Sequence, residues 1–214
     1  MSDVFLTGGT GYIGRRLIPA LVRRGHQVRA LVRAGSESKL PAGCTPVPGN
    51  ALDATTYAHQ LSASDTLVQL VATPKPNPRK RKQFREVDFG SGMAAVSAAK
   101  QAGVRHFVYV SVAHPAPMMQ AYIEPRVEVE EAIRSNGLNA TILRPWYVLG
   151  PGHLWPYLIL PGYWIAGLIP SKREAAQRLG LVKLNQMIGA LVAAVENPAQ
   201  GIKIVEVPEI RRFR

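Results

Sequence analysis

Short apolar runs alternate with helix-like stretches over the first 150 residues of the chain. The apolar runs predict six strands, at residues 3–7, 27–32, 45–48, 65–72, 106–112 and 139–143. Amphipathic, alanine-rich or charged stretches that end near glycines predict three helices, at residues 13–22, 89–102 and 124–135. Strands that are mostly apolar on both faces and alternate with helices are typical of a parallel sheet covered by helices. The pattern therefore predicts an α/β fold with a doubly wound parallel sheet.

This alternation stops after the sixth predicted strand. We interpret the whole chain as one domain, with a core at residues 1–148 and a small C-terminal cap at residues 149–214, on the carboxyl edge where such sheets bind ligands. The cap contains a predicted helix at residues 185–195 and a late strand at residues 201–207. Its uncharged stretch, residues 154–170, is interrupted by prolines and glycines. We interpret that stretch as a buried or lid-forming segment, with a membrane-touching surface as the alternative.

A glycine-rich loop lies between the first predicted strand and the first predicted helix. It reads Thr7-Gly-Gly-Thr-Gly-Tyr-Ile-Gly14, which gives the spacing G-x-x-G-x-x-G. Gly8 permits the turn out of the strand, Gly11 lets the backbone approach a pyrophosphate, and Gly14 lets the helix pack closely on the strand. In this context the loop predicts a dinucleotide site at a helix N-terminus, with a purely structural turn as the alternative. The predicted contacts in the loop are Gly8, Thr10, Gly11, Tyr12, Ile13 and Gly14.

The end of the second predicted strand bears on the choice of dinucleotide. The chain there reads Val32-Arg33-Ala-Gly-Ser, and the first acid that follows is Glu37. An acid at this position would repel a ribose 2′-phosphate, whereas Arg33 would bind it through charge-assisted hydrogen bonds. The sequence therefore predicts a preference for NADP(H) over NAD(H). The alternative is that Arg33 is a solvated strand-end residue or stacks on adenine without selectivity.

Composition points to anionic partners. The 214 residues carry 26 basic and 14 acidic side chains, and the net charge of +12 favours nucleotides, phosphates, nucleic acids or membrane surfaces. The single cysteine, Cys44, excludes an internal disulfide and fits a reducing compartment, so we expect a cytoplasmic protein. The first residues lack the pattern of a signal peptide. The five histidines have no metal-ligand spacing, and we predict no metal site.

Further motifs follow the glycine loop, at Gly49-Asn50, Phe107-Val-Tyr-Val-Ser111, Gly137-Leu-Asn-Ala-Thr-Ile-Leu-Arg144-Pro145 and Gly150-Pro-Gly152. Together they resemble the extended and atypical short-chain dehydrogenases/reductases, in the form carried by NmrA-like and complex-I-subunit-like NAD(P)-binding proteins. The resemblance covers about residues 1–152 and implies a Rossmann-like fold that binds NAD(P). It implies that Asn50 lies near the adenine and Pro145 beside the nicotinamide. Ala72 and Arg126 complete the predicted cofactor contacts.

The same resemblance suggests catalytic residues. Active members of the family use a serine, a tyrosine and a lysine four residues after the tyrosine, and these positions correspond here to Ser111, Tyr122 and Arg126. In the family the tyrosine exchanges a proton with the substrate, the lysine lowers the tyrosine pKa and binds the ribose, and the serine positions the substrate. Arg126 keeps the positive charge, which would favour tyrosinate, but it cannot readily release a proton. The alternative is a structural Arg126 paired with Glu124 or Glu130.

Six basic residues and no acid occur between Lys75 and Arg85, after the fourth predicted strand. Three interpretations remain open for this basic segment. It is a solvated loop, a clamp on an anionic substrate or on NADP phosphates, or a docking surface for an acidic protein surface, membrane headgroups or nucleic acid. No recognition motif or aromatic platform accompanies the charges, so we expect no specific nucleic-acid binding.

Aromatic residues are concentrated after the sixth predicted strand, at Trp146, Tyr147, Trp155, Tyr157, Tyr163 and Trp164. They either pack the cap or line an apolar substrate pocket. The sequence as a whole predicts an NADP(H)-dependent oxidoreductase that transfers hydride to a carbonyl or quinone-like hydrophobic small molecule. The alternative is a non-catalytic NAD(P)H-binding redox sensor or assembly factor. Peripheral membrane association is a minor expectation, and the sequence leaves the oligomeric state open.

Overall fold

A computed structural model describes residues 1–152 and 178–213 of the chain. The strands are β1 Asp3–Thr7, β2 Gln27–Val32, β3 Thr45–Pro48, β4 Thr66–Gln69, β5 His106–Val110, β6 Ala140–Arg144, β7 Tyr147–Leu149, β8 Leu181–Lys183 and β9 Ile202–Glu206. The α-helices are α1 Gly14–Val22, α2 Arg81–Gln83, α3 Gly90–Ala102, α4 Gln120–Ser135, α5 Leu184–Glu196 and α6 Val207–Ile210. A π-helical turn, Phe84–Phe89, joins α2 to α3, and short 3₁₀ turns occur at Glu37–Lys39, Ala54–Thr56, Ala58–Gln60 and Pro78–Lys80.

Seven strands form one parallel sheet in the order β3-β2-β1-β4-β5-β6-β9. Strand β1 lies between β2 and β4, so the direction of winding reverses beside β1. Ligands of doubly wound sheets bind at this switch point, outside the carboxyl ends of the strands. The glycine loop follows β1 directly and therefore lies at the switch point. The structure confirms the predicted α/β fold with a doubly wound parallel sheet.

Helices cover both faces of the sheet and bury two apolar layers. Helices α1 and α5 pack on one face, where they bury residues such as Leu17 and Leu191. Helices α3 and α4 pack on the other face, which includes Ile133. Alternate residues of β1 supply the two layers, since Leu6 belongs to the first and Phe5 to the second. Burial on both faces explains why the central strands read as continuous apolar runs rather than as alternating patterns.

The C-terminal part of the chain differs from the predicted cap. Strand β9 pairs in parallel with β6, from Ala140 opposite Ile202 to Arg144 opposite Glu206, and so extends the main sheet. Helix α5 packs against α1 on one face of that sheet. Residues 184–206 thus belong to the core rather than to a cap, because a helix and a returning parallel strand form one further crossover unit. The predicted buried or lid-forming segment, residues 154–170, lies outside the described residues.

Several element boundaries differ from the predicted ones. Strand β4 ends at Gln69, three residues before the predicted end, and α4 begins at Gln120, four residues before the predicted start. The earlier start puts Pro125 inside α4 rather than in its first turn.

Within residues 1–152 and 178–213, no helix is both long and apolar enough to cross a membrane.

Candidate functional site

The glycine loop leaves no room for side chains at two of its positions. Gly8 has a φ of +77°, and a Cβ there would lie 2.9 Å from backbone atoms of Leu70 and Val71. A Cβ on Gly14 would collide with the Gly8 carbonyl oxygen and lie 2.7 Å from the Gly9 Cα. Glycine at these positions therefore lets the chain fold tightly from β1 into α1.

The loop forms a cradle at the N-terminus of α1. The Gly11 amide donates to the Gly8 carbonyl at 3.0 Å, and Gly11 itself is exposed, while Thr10 and Ile13 are half-buried. Arg16 stacks over the Tyr12 ring, with its guanidinium carbon 4.4 Å from the ring centroid, and donates to the Tyr12 carbonyl at 2.9 Å. The amides and the dipole of a helix N-terminus attract anions. The cradle thus fits the pyrophosphate of a dinucleotide.

Three other predicted cofactor residues follow the ends of neighbouring strands. Arg33 comes after β2, Asn50 after β3 and Ala72 after β4, and all three are exposed. Parallel strands end at the same edge of a sheet, so these residues lie along the edge that carries the glycine loop. The Asn50 side chain accepts a hydrogen bond from the Leu52 amide at 3.1 Å and is therefore used within its own turn. Pro145, directly after β6, is buried.

Tyr122 and Arg126 are in direct contact on α4. The guanidinium carbon of Arg126 lies 3.7 Å from the centroid of the Tyr122 ring, and Arg126 Nη1 donates to the Tyr122 carbonyl at 3.0 Å. Phe84 packs edge-on against the same ring, with the ring centroids 5.1 Å apart. The structure thus places the two residues on one helix face, as predicted. Arg126 and Phe84 contact the Tyr122 ring from two sides.

Asp88 binds the Arg126 guanidinium and is a partner that was not predicted from the sequence. Arg126 Nη2 donates to Asp88 Oδ1, and the two side chains are only 3% and 2% exposed. The expected partners of a structural Arg126 were Glu124 and Glu130; Glu124 is exposed, and Glu130 pairs with other arginines. Asp88 lies one residue before the predicted helix at residues 89–102, and no spacing in the sequence links it to Arg126.

The environment of Tyr122 favours its neutral form. Burial raises the pKa of the phenol, the Arg126 charge lowers it, and the Asp88 charge raises it again, so that the pKa lies above its ordinary value. From the sequence, the Arg126 charge is expected to favour tyrosinate. The structure differs because burial of the ring raises the pKa of the phenol and because Asp88 opposes the charge of Arg126.

Ser111, at the carboxyl end of β5, is bound to a second buried carboxylate. Its Oγ donates to Glu130 Oε1 at 2.6 Å, and both side chains are buried. Glu130 also accepts hydrogen bonds from Arg144 and Arg134, and the His114 ring lies 3.4 Å away. Burial raises the pKa of Glu130, but hydrogen bonds from Arg144 and Ser111 outweigh this effect and lower it. The structure thus gives the Ser111 hydroxyl a protein partner.

A protein-family model described as NAD(P)H-binding matches residues 8–151, which is more than half of the chain. The chain belongs to this NAD(P)H-binding family. The match begins in the glycine loop and includes Arg33, Ser111, Tyr122 and Arg126. The resemblance to atypical and extended short-chain dehydrogenases/reductases, expected from the motifs, is confirmed.

Curated relatives are consistent with this family assignment, and a solved structure shares the fold. The chain is 26% identical to a ceramide reductase of Caulobacter vibrioides over 98% of its own length and 65% of the relative, which is thus considerably longer. It is 28% identical to a 3-diazoavenalumate denitrifying reductase of a Streptomyces species, over 92% of the chain and 73% of the relative. The fold is similar to that of the Bordetella bronchiseptica enzyme WbmH, solved with NAD+, with a TM-score of 0.71 and 21% identity over 96% of this chain and 75% of that enzyme.

In this member of the NAD(P)H-binding family, the basic segment of residues 75–85 is mostly exposed. Arg85 pairs with Glu128 at 2.5 Å and Lys82 with Glu86 at 3.5 Å, both at the surface. Lys80 Nζ donates to the Pro74 carbonyl at 2.5 Å, and Asn77 caps the 3₁₀ turn Pro78–Lys80 by accepting from the Arg79 amide at 3.0 Å.

Two sequence interpretations lie wholly or partly outside the described residues. Trp146 and Tyr147 are half-buried and pack edge-on, with ring centroids 5.6 Å apart, whereas the later aromatic residues of the expected pocket fall within residues 153–177. His153 also falls in that range. Among the residues that the structure does describe, no group of three or more histidine, cysteine or acidic side chains could hold a metal ion.

Proposed function

We propose that this protein is an NADP(H)-dependent reductase of a carbonyl or quinone-like group on a hydrophobic small molecule. The observation that carries the proposal is the contact between Tyr122 and Arg126 in the first turns of α4. Helix α4 follows the carboxyl end of β5, so this pair lies at the same edge of the sheet as the glycine cradle. A proton-carrying group beside a dinucleotide site is what a carbonyl reductase requires.

NADP(H) is the proposed dinucleotide because of the charge at the end of β2. Arg33 is exposed there, and the nearest following acid, Glu37, accepts a hydrogen bond from the Gly35 amide at 3.2 Å within the next turn. A guanidinium binds phosphate through paired, charge-assisted hydrogen bonds, whereas NAD-specific sites place an acid at this position. Arg33 therefore supports a choice of NADP(H) even though the WbmH structure holds NAD+.

Tyr122 is the proposed proton donor. When bound, the nicotinamide dinucleotide supplies the hydride of such a reduction. The carbonyl oxygen of the substrate then requires a proton, and the buried Tyr122 phenol is in its neutral, proton-bearing form. Arg126 lies on the face of the ring, where its charge lowers the pKa of the phenol and so opposes the rise that burial and Asp88 cause.

A hydrophobic substrate is consistent with the named activity of one relative, a ceramide reductase. We propose the cytoplasm as the compartment, since the single cysteine suits a reducing environment.

The basic segment offers a surface for anionic membrane headgroups, which would bring the protein to an apolar substrate.

The test is NADPH oxidation with a panel of aldehydes, ketones and quinones, measured beside direct NADPH binding. The Tyr122→Phe variant should lose at least 100-fold in kcat and keep its NADPH affinity, because the substitution removes the proton-bearing hydroxyl and leaves the ring in place. Glu128→Gln, on the exposed side of the same helix, is the matched control and should retain wild-type rates. A Tyr122→Phe variant with unchanged turnover would remove this residue from the mechanism.

A second function, an NADP(H)-binding sensor without turnover, is favoured by one observation. Arg126 replaces the lysine of active family members and is bound to Asp88, which removes its charge from the surroundings of a ribose. Tight NADPH binding by the wild-type protein, together with no oxidation on any compound of the panel, would support the sensor over the reductase.

A further inference from the structure

Asp88 is a buried anion whose charge acts on the proposed proton donor, Tyr122. Its carboxylate accepts from Arg126 and from the Thr73 side chain, and the Thr73 amide lies 3.2 Å from each of its oxygens. Thr73 belongs to the loop that follows β4, so Asp88 connects the end of β4 to α4. The residue lies in the π-helical turn Phe84–Phe89, a kind of irregularity that is frequent at functional sites.

The Arg126 guanidinium meets three groups at once. One nitrogen donates to Asp88, another donates to the Tyr122 carbonyl, and the plane lies over the Tyr122 ring. A planar guanidinium with five donors in a fixed geometry can make these contacts together, whereas the compact ammonium group of lysine cannot. The arginine is therefore matched to the carboxylate, and the two residues form one unit beneath the tyrosine.

The charges of this unit act on Tyr122 with opposite signs. The Arg126 charge lowers the pKa of the phenol and the Asp88 charge raises it, while burial adds a further increase. Among the residues that the structure describes, a further titratable neighbour is Tyr109 on β5, whose own pKa is raised by burial and which stays neutral. Since Arg126 and Asp88 are both almost fully buried, solvent screens neither charge strongly.

We propose that Asp88 is a positioning residue, which fixes the Arg126 guanidinium on the face of the Tyr122 ring and neutralises its charge there. This assignment rests on the proposed function of Tyr122 as proton donor and adds a residue 34 positions away from it in the sequence. Asp88 thus makes Arg126 suitable for a place that lysine holds in active relatives. Removal of either charge would change the pH at which the Tyr122 phenol loses its proton, although the phenol itself is not substituted.

The test is the titration of the Tyr122 phenol in full-length protein labelled with 3-fluorotyrosine and followed by fluorine NMR. The Tyr122 signal is assigned by its absence in Tyr122→Phe. Asp88→Asn should lower the midpoint by about one pH unit, because the Arg126 charge is then uncompensated. Arg126→Gln should raise the midpoint, because the Asp88 charge then acts alone. Glu128→Gln, which removes an exposed carboxylate from the same helix, is the control and should leave the midpoint unchanged.

Opposite shifts in the two single variants support the proposal. Shifts in the same direction, or none, overturn it, since mere loosening of the structure would move both midpoints towards that of an exposed tyrosine. The double variant Asp88→Asn/Arg126→Gln lacks both charges and should titrate between the two single variants. If one single variant does not fold, the other is compared with the double variant. The titration midpoint of Asp88→Asn must then be lower than that of the double variant, or the midpoint of Arg126→Gln must be higher. A midpoint equal to that of the double variant overturns the proposal.

A second readout separates this proposal from the proposed function. In Asp88→Asn the pH profile of NADPH-dependent turnover should shift to lower pH with little change in KM. If the wild-type protein shows no turnover on any substrate but the phenol titrations shift in opposite directions, the reductase proposal fails and the positioning role stands. If turnover is present but the titrations do not shift, the positioning role alone fails.

Discussion

The Oγ atom of Ser111 lies 2.6 Å from a carboxylate oxygen of Glu130, and both side chains are buried. Because Arg144 donates to the same carboxylate, Glu130 joins the ends of β5 and β6 to α4. The serine that the motifs assign to the substrate is thus the donor in a contact that holds together three elements of the site. Its hydroxyl stabilises the framework around Tyr122.

Ser111→Ala should therefore reduce stability more clearly than catalysis. Loss of one buried hydrogen bond to a charged group costs about 1–3 kcal/mol in the free energy of unfolding, which urea denaturation measures. We expect kcat to fall by less than about tenfold, because Tyr122, the proposed proton donor, is unchanged in this variant. Proton transfer from a positioned side chain contributes a larger factor than that to the rate. Ser97→Ala, on the exposed side of α3, is the matched control. A loss of kcat above 100-fold at unchanged stability would show that Ser111 acts on the substrate instead.

Gly11 and Gly14 should respond differently to alanine. In Gly14→Ala the new methyl group would collide with backbone of the loop, so we expect loss of dinucleotide binding and a stability cost of about 1–3 kcal/mol. In Gly11→Ala the nearest atom is the Gly8 carbonyl oxygen at 3.1 Å, so the fold should persist while NADPH affinity falls. Gly90→Ala, where the nearest atom is 3.6 Å away, is the control. Thermal unfolding and calorimetric titration would measure both effects, and wild-type affinity in Gly14→Ala would exclude the cradle as the pyrophosphate site.

Arg33→Ala should weaken NADPH binding selectively. Loss of charge-assisted hydrogen bonds to a phosphate costs about 1.5–3 kcal/mol, which corresponds to roughly a 10- to 100-fold rise in Kd. The Kd for NADH, which has no 2′-phosphate, should change by less than about twofold. Arg105→Ala, at the amino end of β5 and thus at the opposite edge of the sheet, removes the same charge as a control. Equal losses for both dinucleotides in a fluorescence titration would contradict the assignment of Arg33.

His106 should make the protein less stable in mild acid. Burial and the nearby Arg105 charge lower the pKa of its ring to about 4, and its Nε2 lies 3.0 Å from Thr141 Oγ1. The unfolded chain, with an ordinary histidine pKa, binds the proton first as the pH falls. The stability that neutral His106 provides is therefore complete above about pH 6.5 and is lost towards pH 4, by roughly 3 kcal/mol in total.

His106→Gln should flatten the stability profile between these two pH values. Urea unfolding at several pH values between 7 and 4 measures the profile for wild type and variant. His59→Gln, which replaces an exposed histidine, should keep the wild-type slope. The same slope in His106→Gln would assign the acid sensitivity to other groups.

The basic segment should bind anionic membranes independently of the dinucleotide. Each basic residue near such a surface contributes about 1 kcal/mol at moderate ionic strength. Lys75→Glu/Arg79→Glu/Lys82→Glu should therefore abolish co-sedimentation with phosphatidylglycerol vesicles while NADPH affinity stays unchanged. Lys100→Glu/Arg105→Glu/Lys203→Glu gives the same change in net charge at other exposed positions and is the control. A loss of NADPH affinity in the first variant, with vesicle binding retained, would instead identify a clamp on the cofactor.

The sequence predicts the fold well where local pattern and burial coincide. Strands such as His106–Val110 are apolar runs in the sequence because both of their faces are covered. Gly8, Gly11 and Gly14 lie between a strand and a helix, and this context makes the glycine spacing indicative of a dinucleotide site. The strand at the C-terminal end was also predicted, but its partner was not. Periodicity reports which residues form a strand, and only the packing of α5 on α1 determines that β9 extends the sheet beside β6.

The site was predictable only where its contacts are local. Tyr122 and Arg126 are four residues apart on one helix, so spacing alone predicts that they meet. Asp88 is 38 residues from Arg126, and their pairing depends on how the π-helical turn packs against α4. Glu130 also lies four residues from Arg126, but Arg144 on β6 binds it instead. Long-range packing therefore overrides the helical spacing that favoured a Glu130–Arg126 pair.

The two short strands β7 and β8 pair in parallel over Tyr147–Leu149 and Leu181–Lys183. This pairing brings the two ends of the intervening stretch of chain together just outside the main sheet, next to the glycine loop, where Gly150 packs against Tyr12. The sheet itself is completed by strands that precede and follow this stretch. Each of the seven strands of the main sheet thus comes from residues 3–144 or 202–206, so a substitution between residues 150 and 180 changes no strand of that sheet.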